Sequence, residues 1–142
     1  TTLDWKTQAV VLPGRDDIDR NHEERLLANE EAKDGERLRA AMELAWMNRS
    51  TPEDPIVLSR LRIGTVQLLQ LPGELFVEYQ LNAQDMAPES MVCVAAYGDY
   101  GPGYIGTEVS YGQGGYETAK YVAHCGPAVE QVLMEGIAPL LK

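Results

Sequence analysis

The side chains most able to carry chemistry gather in two stretches. One is Leu71-Pro72-Gly73-Glu74, where turn-forming residues end an apolar run and a segment with helical spacing follows. A carboxylate on the first turn of a helix is held ionised by the helix dipole, and an ionised carboxylate of fixed direction suits a metal ligand. A glutamate at a helix start also complements the dipole and nothing more, which is the commoner role for a bare tetrapeptide. The other stretch spans residues 97–116, where tyrosines at 97, 100, 104, 111 and 116 stand among glycines. Glycine-flanked tyrosines on a loop can present phenol oxygens as metal ligands or as donors to a developing oxyanion. Tyr97 and Tyr111 fit ordinary amphipathic core better.

Three weaker patterns lie nearby. Gly101, Gly103 and Gly106 spell the spacing of a dinucleotide-binding turn. That turn needs a helix opening inside the motif, whereas residues 105–111 look β-like and the glycines at 112–115 oppose a helix, so nucleotide binding is not expected. His124 stands beside Cys125, but adjacency in sequence does not make a catalytic or metal pair. His22 falls in a charged helical stretch and reads as a surface residue. Cys93, inside an apolar run, reads as a core thiol; a bridge to Cys125 stays open.

These residues need a scaffold, and its elements are legible. Residues 5–12 are apolar and β-branched and stop at Pro13-Gly14, a strand and turn. Residues 16–48 lack proline and are dense in Glu, Arg, Leu and Ala, which predicts two helices broken at Asp34-Gly35. In the second helix Leu38, Met42, Ala45 and Arg49, with Ala41 beside them, form the stripe expected to face a core. Residues 56–63 and 65–71, separated by Gly64, predict a hairpin or adjacent strands, 74–86 a helix, and 91–96 a buried strand. Residues 97–116 predict a long shaped loop with a short strand around 105–111. From Pro127, the spacing of Val129, Val132, Leu133, Gly136, Ile137 and Leu140 predicts a final amphipathic helix. The fold class is therefore mixed α/β: one sheet with flanking helices and a long Gly/Tyr-rich loop, as a single domain or subdomain over 1–142.

Composition narrows the function. The chain has 142 residues, 44% hydrophobic and 24% charged, with a formal net charge of −10. It is long enough to bury a core, and its acidity excludes nucleic acid as a leading partner, because phosphate binding requires clustered Lys and Arg. The acid between Asp16 and Asp54 is interleaved with arginines and reads as a solvated helical face. No apolar run is long enough to cross a membrane, and the N-terminus lacks the basic-then-apolar pattern of a signal peptide. The chain opens without methionine on Thr1 and runs at once into apolar residues, as an internal start or a trimmed chain would.

Taken in order, Leu71-Pro72-Gly73-Glu74, a helix, an apolar strand, Tyr100-Gly101-Pro102-Gly103-Tyr104-Ile105-Gly106-Thr107 and Gly115-Tyr116-Glu117 resemble the later part of the catalytic domain of the neutral/alkaline ceramidases. The likeness is greatest to shorter bacterial relatives that end soon after the last helix, and it covers roughly residues 56–142. It implies a zinc amidohydrolase cleaving an N-acyl bond, with Glu74 and Tyr104 as zinc ligands and Tyr116 beside the metal, holding the substrate or tetrahedral intermediate. One extra residue in the glycine-rich segment leaves Tyr100 as the alternative to Tyr104. The family completes its zinc site with two histidines far upstream, and neither His22 nor His124 stands in a matching context. The resemblance therefore implies that this chain is the C-terminal part of a larger catalytic domain, is inactive alone, and has the upstream remainder and an N-acyl lipid or other amide as partners. The family is commonly exported or membrane-associated. The rival expectation is a non-catalytic interaction or small-molecule-binding module that keeps the family's motifs.

Overall fold

A computed structural model describes residues 2–99 and 101–142. In chain order the elements are β1 (Leu3–Val10), α1 (Arg20–Ala28), α2 (Asp34–Arg49), β2 (Ile56–Ile63), β3 (Val66–Gln70), β4 (Glu74–Leu75), α3 (Glu78–Met86), β5 (Met91–Ala95), β6 (Tyr104–Ile105), α4 (Glu108–Gln113) and α5 (Val129–Leu141). Four strands form a mixed sheet in the order β1-β2-β3-β5, and β4 and β6 form a separate two-stranded ladder. The mixed α/β class read from the sequence is the observed one.

Local chemistry explains most of these boundaries. Gly64 turns at φ +62, a conformation glycine adopts without strain, and so closes the antiparallel β2–β3 hairpin. The β3 and β5 strands are parallel, and the connection between them carries α3 across the sheet. The Asp19 carboxylate accepts from the Asn21 amide 3.1 Å away and caps α1. Gly35 does not break the helical region: residues 29–33 do, and Asp34 opens α2.

Helix α5 covers one face of the sheet over β1 and β2 and also touches α3. Val129, Leu133, Ile137 and Leu140 are its buried stripe, as their spacing requires. Close approach is possible because Gly136 has no side chain: a Cβ there would lie 2.8 Å from Val10 Cγ1 and 2.9 Å from Leu58 Cδ1. The buried Arg60 guanidinium donates to the Leu140 carbonyl at 2.8 Å and pairs with Asp4 at 2.9 Å, placing a cation at the negative end of the helix.

Two rows on the opposite face of the sheet are apolar and largely exposed. Strand register places Leu3, Ile63, Val66 and Met91 in one row and Trp5, Leu61, Leu68 and Cys93 in the next. Most of these side chains are exposed, including Trp5 at 56% and Met91 at 64%. A contiguous apolar surface of this kind marks an interface rather than a solvated face.

Four further expectations from the sequence are corrected. On α2, Leu38 and Met42 are exposed, and the buried face carries Ala40, Glu43, Leu44 and Trp46. The buried Glu43 breaks the apolar pattern of the true core face, so the neighbouring stripe looks more hydrophobic than the one that packs. The acidic stretch is accordingly not all solvated, since Glu23 and Glu43 are both buried. Finally, Glu74 lies on β4 rather than on a helix, which starts only at Glu78, and residues 108–113 form α4 rather than a strand.

Candidate functional site

Because β3 and β5 are parallel, their C-terminal ends open on the same edge of the sheet, and the segments that follow them meet there. The chain after β3 becomes β4, the loop after β5 leads to β6, and the two pair in parallel with Glu74 directly opposite Tyr104. The Glu74 amide donates to the Gly103 carbonyl at 2.8 Å, the Phe76 amide to Ile105 at 3.0 Å, and the Tyr104 amide to Val122 at 2.9 Å. Two glycines make this approach possible. Gly73 sits at φ +62, where a Cβ would fall 2.6 Å from the Gly103 oxygen; Gly103 sits at φ +66, where a Cβ would run into the Val122 carbonyl. The Pro-Gly before Glu74 and the glycine before Tyr104 are thus steric requirements of the ladder that aligns the two oxygen-bearing side chains.

Tyr116 reaches the same place from another direction. The chain leaves α4 through Gly114 and Gly115, both at positive φ, and returns so that the Tyr116 ring meets the Tyr104 ring edge-on, with centroids 5.9 Å apart and planes at 74°. Tyr116 is 65% exposed, a ring at the mouth of the site rather than in the core.

Electrostatics link the trio. Chiefly the negative charge of Glu74, with some desolvation and a smaller effect of Tyr116, holds the Tyr104 phenol above its ordinary range. A divalent cation shared by the two oxygens would reverse that effect by favouring both anions. A carboxylate and a phenol are hard oxygen donors that suit zinc, but they are two of the four ligands such an ion takes. Among the described residues no group of three or more His, Cys, Asp or Glu side chains is placed to hold a metal. Two oxygen donors do not by themselves complete the coordination of such an ion.

Beside the trio runs a cleft of ≈ 450 Å³. One wall is α2, through Met42, Ala45, Trp46 and Arg49, so Met42, Ala45 and Arg49 of the stripe expected to face the core face this space instead. Arg49 ties that wall to the loop before β6 through a 2.6 Å contact with Asp99, and it also pairs with Asp54 at 3.1 Å. The hydrogen bond from Arg49 is the main reason the Asp99 carboxyl lies below its usual range. The opposite wall includes Tyr121, which holds φ +67; a non-glycine residue in that conformation costs about 1–3 kcal/mol and tends to occur at functional sites. His124 also lines the cleft, 5% exposed, its Nδ1 2.7 Å from the Oε1 of Glu43, which is 1% exposed.

The structure therefore brings Glu74, Tyr104 and Tyr116 together. Tyr100 lies outside the described residues. His22 is exposed on α1, as expected. His124 is a buried, paired residue and Cys125 a buried thiol whose ionisation burial pushes up; Cys93 is only partly buried, and both cysteines are free. Tyr111 is largely core, with burial pushing its phenol to about 12, whereas Tyr97, expected beside it, is 53% exposed at φ +63. A helix does open after Gly101, Gly103 and Gly106, contrary to expectation, but the Glu108 amide at its start is taken by the Glu130 carboxylate at 2.6 Å. That anion occupies the place of a phosphate. The Glu43–His124 pair and the Arg49–Asp99 contact had no sequence signal, since their members lie 81 and 50 residues apart.

No family model matches the chain, and no curated protein does. Solved structures of ceramidases share the fold. One, described as a ceramidase complexed with C2, superposes with a TM-score of 0.62 at 13% identity over 99% of this chain and 30% of its own. Another, the neutral ceramidase from Pseudomonas aeruginosa, gives 0.56 at 17% identity over 99% of this chain and 29% of its own. The chain thus has a ceramidase-like fold and spans under a third of the length of the proteins it matches.

Proposed function

We propose that this chain supplies one part of the active site of a ceramidase-like zinc hydrolase of N-acyl bonds. The observation that carries the reading is the register of the small ladder, which sets Glu74 beside Tyr104 with the Tyr116 ring against them, within a fold matched along its whole length to ceramidases. Glu74 and Tyr104 would hold zinc together with ligands from chain beyond these residues. Bound there, zinc supplies the activated water and polarises the scissile carbonyl. The Tyr116 hydroxyl, exposed at the cleft mouth, would donate a hydrogen bond to the carbonyl oxygen as negative charge develops on it, a role worth most where water is excluded. The exposed apolar rows of the sheet support the same reading, because they offer a docking surface for the rest of the catalytic domain.

Zinc analysis and an N-acyl hydrolysis assay test this in the 142-residue chain and in the protein's longest natural form. The longer form is expected to hold zinc and hydrolyse the amide, and the short chain to do neither, because two protein oxygens leave the ion mostly hydrated. In the longer form Glu74→Gln and Tyr104→Phe should lower zinc content before they lower stability. Full zinc retention in both variants would falsify the assignment.

A further inference from the structure

We infer that the Glu43–His124 pair is a ligand-reading element of the cleft, in which His124 Nε2 accepts a hydrogen bond from the N–H or O–H of a molecule bound against the α2 wall. The inference rests on the N-acyl reading above for the class of ligand but not on the metal.

The geometry shows what the pair is for. A carboxyl group buried to 1% exposure needs a hydrogen-bond partner, and Glu43 has Nδ1 of His124 at 2.7 Å. In the tautomer that carries its proton on Nδ1, facing the Glu43 oxygen, the ring's lone pair is left at Nε2. The ring is further held by its backbone, whose amide donates to the Pro102 carbonyl at 3.0 Å. Nε2 has no hydrogen-bond partner among the described residues, yet it is not one of the polar atoms sealed from solvent without a partner. His124 lines the cleft along with Tyr104 and Tyr116, and its Cδ2, bonded to Nε2 in the ring, lies 3.4 Å from where a Cβ would stand on Gly103, another lining residue. Met42, Ala45 and Trp46 give that cleft an apolar wall. A polar atom oriented by a buried partner next to an apolar wall selects a ligand with one donor at the end of an apolar body, such as a secondary amide of an alkyl chain. Glu43 is a positioning residue in this scheme; His124 is the one that touches the ligand.

Two probes differing only in that donor test it on the full-length protein: N-hexylacetamide and its N-methylated tertiary amide. The wild type should bind the secondary amide about tenfold more tightly, and only that probe should shift the His124 Nε2 resonance in nitrogen NMR. In the double variant E43M/H124F both polar partners are removed together, so no charge is left buried alone, and the preference should fall to nearly one. Glu74→Gln should keep the preference while losing zinc, so that failure of the metal assignment and failure of this one are read separately. A preference unchanged in the double variant, a silent Nε2 resonance, or no binding of either amide to the wild type would overturn the proposal. Should the double variant not fold, the wild-type preference and the Nε2 resonance decide the question.

Discussion

At the scale of single residues, the site depends on two glycines more than on any polar side chain. Gly103 cannot accept a Cβ without displacing the Val122 carbonyl, and its φ of +66 already disfavours other residues. Gly103→Ala should therefore destabilise the protein by about 1–3 kcal/mol and disturb the Tyr104–Tyr116 contact, read as a lower urea midpoint and an altered near-ultraviolet tyrosine spectrum. Gly112 is the contrast, since it sits within α4 with open space around it and an ordinary backbone. Gly112→Ala should stabilise by about 0.5–1 kcal/mol. The Asp99–Arg49 contact adds a pH dependence whose sign follows from linkage. The Asp99 carboxyl is lowered from 3.8 in the folded state, so it binds its proton less tightly there than in the unfolded chain. Its contribution is present above the ordinary carboxylate range and is lost as pH falls through the depressed value. Both partners are partly exposed, so the loss should stay under about 1 kcal/mol. Urea midpoints at pH 7 and pH 2 should differ less in Asp99→Asn than in the wild type.

At the scale of elements, α5 is the clamp that closes one side of the sheet. Leu133 is completely buried in its stripe, between the helix and the strands it covers. Leu133→Ala should cost about 2–5 kcal/mol, measured by urea unfolding; a loss below about 1 kcal/mol would mean that the helix draws its stability from elsewhere. Helix α2 serves a different purpose, since it packs Leu44 and Trp46 inward, buries Glu43 to orient His124, and offers Met42 and Ala45 to the cleft. One helix thus joins the core to the proposed ligand surface.

At the scale of the whole molecule, two adjacent rows of apolar side chains on the outer sheet face are largely exposed. Surface of this type drives association when left in water. The 142-residue chain should self-associate in sedimentation measurements, and the double change Trp5→Lys and Leu68→Lys should abolish that with less than about 0.5 kcal/mol effect on its own stability. On the proposed reading, in which further chain docks on this face, the same two changes should be strongly destabilising in the longest natural form, because they would bury unpaired charges. Equal tolerance in both forms would show that nothing in the longer form docks on this face.

What the sequence determined by itself is whatever is local. The β1 strand, the paired α1 and α2, the β2–β3 hairpin at Gly64, β5 and the stripe of α5 all follow from short-range periodicity and turn chemistry, and all are present in the structure. Glu74 and the tyrosines of the glycine-rich loop stood out as candidates from the glycines and prolines around them, and the family resemblance selected Glu74, Tyr104 and Tyr116 among them. Tertiary structure decided the rest. A two-residue strand such as β4 has no period to detect, and it exists only because β6 lies beside it some thirty residues later. The inward face of α2 could not be chosen from its pattern, because the residue that interrupts the apolar stripe, Glu43, is buried by a histidine 81 positions away. A polar side chain becomes core when its partner comes with it, and only the folded chain brings the two together.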